Sequence, residues 1–242
     1  MVTLSNSQLL RRKIGFVLDE LVLASHTLTS HPHIMDIYPE YLFTIHTMIR
    51  ASVPLMEAAL ASAKALDAKD PVAEGLIAYL SQHIKEEMHH DEWLLDDLEV
   101  IGVQRAQVLA RMPSPSVAAM VGTQYYWIFH HHPVAILGYI GVMEGYPPTR
   151  EFVEDLKKRT GFPETAFRTI AKHGYLDPYH RDDLDKAVDE LALENQHQVL
   201  IGTSAMQSVH LGAQAFREVV ENARKATKDT GNTSTLAHQS HR

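Results

Sequence analysis

Residues 112–143 read MPSPSVAAMVGTQYYWIFHHHPVAILGYIGVM and contain no Asp, Glu, Lys or Arg. The run has the length of a membrane span, but Pro113, Pro115, Gly122 and Pro133 interrupt it, so no apolar stretch of about 20 residues survives. We therefore predict a helix over about residues 116–144, buried in the core of a soluble protein.

Outside this run, apolar residues recur at three- and four-residue spacing, without the alternation that is typical of strands. This pattern predicts an all-α bundle of seven or eight helices in a single domain over residues 1–226. The polar residues 227–242 are expected to form a disordered tail. The expected helices cover about residues 7–28, 39–66, 70–100, 104–111, 116–144, 149–160, 164–173 and 178–226.

The composition of the chain excludes several kinds of site and partner. The chain has 242 residues, no cysteine and a formal net charge of −8. The lack of cysteine excludes disulfides, thiolate metal sites and thiol nucleophiles, and the acidic charge argues against a nucleic-acid partner. The N-terminus, MVTLSNS, lacks the basic and apolar segments of a signal peptide, so we expect a cytoplasmic protein without a membrane partner. The 16 histidines are conspicuously many.

The first candidate site residues lie in the predicted third helix, where residues 83–93 read HIKEEMHHDEW. Residues three, four and seven apart share a helical face, so His83, Glu87 and His90 align, and Glu86 and His89 form a neighbouring stripe. Glu-x-x-His is the spacing with which helical bundles offer a carboxylate and an imidazole to a metal. The alternative is a solvated, charged helix face.

The second candidate is Glu144, the first charged residue after the uncharged run. An isolated buried charge is costly, so this carboxylate must be paired, bound to a metal, or exposed at a frayed helix end.

The third candidate is the segment 173–180, HGYLDPYH. On a helix, offsets of three and four place His173, Asp177 and His180 on one face. Pro178 disfavours a continuous helix, and the alternative makes Asp177 the N-cap and Pro178 the first residue of the last helix. Together the three motifs supply three carboxylates and three imidazoles without sulfur, a donor set that suits iron or manganese.

In these motifs and their order, the sequence resembles the heme-oxygenase-like diiron oxidases and oxygenases, which share a fold with heme oxygenase, TenA-type thiaminases and the pyrroloquinoline quinone synthesis oxidase. The motifs span about residues 75–185, and the helical layout extends the resemblance over about residues 5–225. The resemblance implies a heme-oxygenase-like helical bundle with two non-heme irons, or manganese in their place. It assigns as ligands Glu87, His90, Glu144, His173, Asp177 and His180.

One departure leaves part of this site open. Some members of that family take their first carboxylate seven residues before the histidine, and this chain has His83 at that position. Glu87, Glu86 or His83 therefore completes the shell of the first metal.

The resemblance also implies an oxidoreductase that uses O2 to oxidise a small amino-acid-like or carboxylate substrate. An electron donor and a homodimer are compatible with it. Arg150 and Lys157 follow Glu144 closely in sequence and are candidates to hold a substrate carboxylate.

Two other functions stay open. A heme-binding protein on the same fold would use an N-terminal histidine, such as His26, as axial ligand, and a non-enzymatic helical interaction protein would need none of these motifs. Thiaminase activity is excluded because its chemistry requires a cysteine. We interpret His46 as a hydrogen-bonded packing residue and expect at most one of residues 130–132 to face the cavity. Aromatic residues expected to line the core or cavity are Trp93, Tyr125, Tyr126, Trp127 and Phe129.

Overall fold

The computed structural model describes residues 4–239, with side chains for residues 4–223 and 225. The predicted disorder of residues 227–242 falls outside the described side chains and stays a prediction, as does the single domain over residues 1–226. Within the described residues the chain forms eleven α-helices and no strand, which confirms the all-α class. The helices are α1 (Asn6–Gly15), α2 (Leu18–Thr29), α3 (Ile34–Lys64), α4 (Ala73–Glu87), α5 (His90–Val100), α6 (Arg105–Ala110), α7 (Pro115–His130), α8 (Ile136–Met143), α9 (Arg150–Thr160), α10 (Arg168–Glu190) and α11 (Asn195–Gln239).

The helices outnumber the expected seven or eight because three predicted helices are broken. The first is divided at Phe16 and Val17, and the third at Met88 and His89. The predicted helix over residues 116–144 is divided before Pro133, where the 3-10 turn Pro133–Ala135 separates α7 from α8. Proline lacks the N–H that would continue the hydrogen-bond ladder, which explains this last break.

Other helix boundaries also differ from the prediction, and α11 continues to Gln239, past the expected end at about residue 226. Helix α3 begins at Ile34, so Pro39 lies inside the helix and not in its first turn. Helix α10 runs through Pro178, and the break before the last helix falls between Glu190 and Asn195.

Glycine allows two helices to approach closely. A Cβ atom at Gly138 of α8 would lie 2.1 Å from the carbonyl oxygen of Ile201 and 2.8 Å from the amide nitrogen of Ala205, both on α11. This contact fixes the position of α8 and therefore of Glu144, which follows its last residue.

Two apolar clusters form the core, and the candidate site lies between them. Ile84 of α4 and Leu184 of α10 belong to the first cluster, whereas Leu94 of α5 and Ile170 of α10 belong to the second. The segments between these residues are residues 85–93 and 171–183, which contain most of the predicted ligands. No helix in the described residues is long and apolar enough to cross a membrane.

Candidate metal centre

A break between α4 and α5 places the first pair of site residues. Helix α4 ends at Glu87 with Met88 as its C-cap, and His89 adopts a left-handed conformation with φ of 71°. Such a conformation is uncommon for a residue with a side chain, and strained backbone of this kind concentrates at functional sites. Glu87 therefore ends one helix and His90 begins the next, with His90 Nδ1 3.0 Å from Glu87 Oε2. The expectation of one continuous helix here was wrong. The predicted stripe of Glu86 and His89 was also wrong, because His89 is exposed.

Glu144 follows the last residue of α8 and is buried, with 7% of its surface exposed. Its Oε1 accepts a hydrogen bond of 3.0 Å from Nε2 of His83 on α4. The alternative of an exposed carboxylate at a frayed helix end is therefore wrong.

Helix α10 carries His173, Asp177 and His180 on consecutive turns of one continuous helix. The alternative in which Asp177 caps the last helix is wrong, because Asp177 lies in the helix interior. Its Oδ1 instead accepts a hydrogen bond of 2.9 Å from His173 Nδ1. This bond orients the imidazole of His173 and leaves its Nε2 free of any partner in the described structure.

The three segments converge at Glu87. Glu87 Oε1 lies 3.2 Å from His180 Nδ1, and that nitrogen lies 3.7 Å from Glu144 Oε2. The ring centroids of His83 and His180 are 5.1 Å apart, and those of His90 and His173 are 5.2 Å apart, each pair in an edge-to-face arrangement. Glu87 thus lies between one pair of imidazoles and the other.

Several of these atoms are close without being hydrogen-bonded. Within the described residues, no hydrogen-bond partner is found for five buried atoms of the cluster: Glu87 Oε1, His90 Nδ1, Glu144 Oε2, His173 Nε2 and His180 Nδ1. Buried polar atoms are almost always satisfied, so five exceptions in one cluster require an explanation. A metal ion would satisfy carboxylate and imidazole lone pairs of this kind, although among the described residues His90 and His173 belong to no set of three ligands within 4.8 Å of one another.

Glu86 occupies the solvent side of this cluster. Its carboxylate lies 3.4 Å from His83 Nδ1 and accepts a hydrogen bond of 2.7 Å from Gln82, with about a third of the side chain exposed. Ligand atoms of His83, Glu86 and His180 lie within 4.8 Å of one another, as do those of His83, Glu87 and Glu144. Both sets could hold an ion, and His83 belongs to each.

The electrostatics of the metal-free cluster are those of clustered acids and bases. Burial raises the pKa of Glu144 above its ordinary value, against the opposing charge of His83. Burial lowers the pKa of His83, but the charges of Glu144 and Glu87 outweigh this effect and raise it to about 9. Both shifts favour the protonated forms of Glu144 and His83.

Sequence reasoning missed Tyr79, whose ring stacks on His83 with 5.2 Å between centroids. The buried phenol oxygen of Tyr79 has no hydrogen-bond partner in the described part of the chain. The signal was available in the spacing, because residues 79 and 83 are four apart and share a helix face.

The other histidines lie apart from the cluster. His130 and His131 are exposed, and His132 bonds Asp70. His26 is exposed and bonds Ser30. His46 is buried, but neither ring nitrogen has a hydrogen-bond partner in the described residues, so its interpretation as a hydrogen-bonded packing residue was wrong.

The candidate substrate-binding and cavity-lining residues also lie apart from the cluster. Arg150 is exposed at the first position of α9, and Lys157 pairs with Glu154 and Glu164. Trp127 donates a hydrogen bond to Gln207, whereas Tyr126 and Phe129 are exposed, contrary to the expectation that they line the core or cavity.

Comparison with solved structures shows the fold. A heme-oxygenase-like domain of unknown function from Shewanella denitrificans is 17% identical, with a TM-score of 0.74 over 89% of this chain and 92% of that one. A TenA homolog from Pseudomonas syringae is 12% identical, with a TM-score of 0.62 over 86% and 92%. Heme oxygenase-1 from Synechocystis, in complex with heme, is 13% identical, with a TM-score of 0.57 over 96% and 100%. The heme-oxygenase-like fold is therefore confirmed.

The sequence comparison goes further than the fold. No curated protein matches the chain. Residues 50–213, which contain all eight candidate ligands, match the family described as iron-containing redox enzymes, and the chain belongs to that family.

Proposed function

We propose that the protein is a non-heme diiron oxidase or oxygenase that uses O2 to oxidise a small amino-acid-like or carboxylate substrate. The coarser statement, an iron-containing redox enzyme, follows from the family. The assignment as a non-heme diiron enzyme depends on the number of metals that the cluster holds and on the absence of a porphyrin.

The position of Glu87 is the observation that supports two metals. Its Oε1 lies 3.2 Å from His180 Nδ1, and its Oε2 lies 3.0 Å from His90 Nδ1. Each carboxylate oxygen thus faces the imidazole of a different helix. Glu87 would in this position be able to contribute to the ligand sets of two cations and to offset part of their charge.

The proposed ligands divide around Glu87. On one side His83, Glu144 and His180 surround its Oε1, with Glu86 at the solvent edge. On the other side His90 faces its Oε2, and His173 contacts the ring of His90. Asp177 either binds the second metal directly or holds His173 in position through the hydrogen bond to Nδ1.

The chain's own groups suit oxidative chemistry. When bound, two irons would supply the electrons that activate O2. Glu87 and Glu144 would offset the positive charge of the metals, and the apolar clusters on both sides would exclude water from the site. Asp177 would hold the imidazole of His173 in the tautomer that carries its proton on Nδ1, which leaves Nε2 available to a metal.

Metal analysis with an optical spectrum of the purified protein tests the proposal. We expect non-heme iron, no Soret band, and substrate-dependent consumption of O2 after anaerobic loading with Fe²⁺. A Soret band would favour a heme-binding function on the same fold. Neither iron nor a heme band after loading would favour a non-enzymatic interaction protein.

The heme alternative has less structural support. The axial candidate His26 is exposed and already bonded to Ser30. A heme-binding function would also leave the converging atoms of Glu87, Glu144 and His180 without a role.

A further inference from the structure

A cleft of about 700 Å³ lies beside the candidate metal centre, between α5, α9, the 3-10 turn Glu164–Phe167 and α10. We call it the Trp93 cleft. Much of its wall is apolar and aromatic: Trp93, Phe167, Ala171, Tyr175 and Leu176. Its volume falls within the range of small-molecule sites, which combine apolar walls with a few polar groups that fix orientation.

Trp93 joins the cleft to the proposed metal centre. Its ring stacks on His90 with 4.0 Å between centroids, and the ammonium of Lys172 lies 3.7 Å from the centroid of the same ring. Trp93 therefore contacts both a proposed metal ligand and a cation of the cleft wall.

Three cationic side chains line the cleft, and they differ in whether a carboxylate pairs with them. Lys157 pairs with Glu154 and Glu164, and Arg168 pairs with Asp96 and Asp97. Among the described residues no carboxylate lies within ion-pair distance of Lys172, whose only contact of this kind is the face of Trp93. Lys172 is thus the lining cation that is available to an anionic ligand, and an ammonium on an aromatic face keeps hydrogens free to donate.

We propose that the Trp93 cleft binds the substrate and selects a monocarboxylate with an aromatic body, whose carboxylate pairs with Lys172 while its ring packs on the aromatic wall. This rests on the proposed oxidase function, for which it names the substrate class. It replaces the sequence-based candidates Arg150 and Lys157 with Lys172 as the carboxylate-binding residue.

Tryptophan fluorescence of metal-free protein tests this inference. The chain has two tryptophans, so Trp127→Phe leaves Trp93 as the single reporter in the cleft wall. Titration with 3-phenylpropionate should change its emission saturably, whereas 3-phenylpropionamide, which lacks the charge, should bind at least about tenfold more weakly, a difference of ~1.4 kcal/mol.

Variants of Lys172 then test whether its charge binds the carboxylate. In the Trp127→Phe background, Lys172→Met keeps an apolar stem over the indole and should weaken 3-phenylpropionate binding about tenfold, while Lys172→Arg should retain it. The control Lys64→Met, at an exposed lysine at the end of α3 and outside the Trp93 cleft, should bind as the parent does. Equal affinity for acid and amide, or unchanged binding in Lys172→Met, would overturn the proposal.

The same titration separates this inference from the proposed function. It needs no metal, so Glu144→Ala, which should lose iron, is expected to bind 3-phenylpropionate normally. Intact iron binding with no acid binding would leave the diiron proposal standing and refute only the substrate site.

Discussion

Glu87 Oε1 and His180 Nδ1 lie 3.2 Å apart without forming a hydrogen bond, although both atoms are buried and neither has another hydrogen-bond partner in the described structure. Two such groups normally turn toward each other, because an unsatisfied buried polar atom costs about 1–3 kcal/mol. A metal ion bound to both atoms would satisfy them.

Removing a ligand should separate metal binding from folding. Glu144→Ala and His180→Ala are expected to lose iron while circular dichroism shows unchanged helix content. Helix content is the measure of folding here, because Glu144→Ala also removes the buried hydrogen bond and opposite charge that Glu144 offers His83, and its metal-free form should therefore melt lower than the wild type's. The exposed His131→Ala is the control and should retain iron. Wild-type iron content in Glu144→Ala would contradict the ligand assignment.

Asp177→Asn probes the residue that sequence reasoning left between a metal ligand and a helix cap. The cap is excluded by its position inside α10. Asn keeps the shape but loses the anionic oxygen that accepts from His173 Nδ1, so iron affinity should fall by about 10–100-fold. The melting temperature of the metal-free variant should stay near that of the wild type. Metal titration monitored by a competing chelator measures this, and unchanged affinity would remove Asp177 from the site.

The pKa of His83 predicts how stability depends on pH. Burial lowers this pKa, but the charge of Glu144 outweighs it and raises the pKa to about 9, above the ordinary value of 6.5. Protonated His83 therefore stabilises the metal-free fold fully below pH 6.5, and this contribution is lost as the pH rises through 9. Thermal unfolding across this range should show the decline.

His83→Gln serves as the control for that pH series. It cannot be protonated, so the decline between pH 6.5 and 9 should be smaller in this variant than in the wild type. Identical profiles for the two proteins would show that His83 is not charged in the metal-free fold.

A fourth prediction tests the packing that positions Glu144. A Cβ atom at Gly138 would collide with the backbone of α11, 2.1 Å from the oxygen of Ile201. Gly138→Ala should cost about 3 kcal/mol, equivalent to a fall in melting temperature of roughly 6–12 °C. Gly122→Ala in α7 is the matched control, because no heavy atom lies within 4 Å of its added Cβ. There, alanine's higher helix propensity should leave the melting temperature unchanged or higher.

The all-α class and the alignment of the residues within each motif could be predicted because both depend on local spacing. Glu87 and His90 are three residues apart, and His173, Asp177 and His180 share one face of α10. Within each set the side chains therefore lie close to one another. Glu144 was predictable because a lone charge after a long uncharged run needs a partner.

The helix breaks were not predictable in the same way. The left-handed His89 and the continuous helix through Pro178 both run against local preference, which disfavours each. Tertiary packing around the cluster sets both conformations. Lys172 was missed because its contact with Trp93 joins two helices and belongs to no motif, whereas Tyr79 was missed although its spacing from His83 places both on one helix face.

The most direct test of the central claim is the number of ferrous ions that bind tightly to each chain. Anaerobic titration of the metal-free protein, with metal analysis after removal of unbound iron, should give two per chain for the wild type. It should give one or none for Glu87→Gln, which keeps the size of the side chain but loses the bridging charge. A wild type that saturates at one iron or none, or a Glu87→Gln variant that retains two, would contradict a two-metal site built around Glu87.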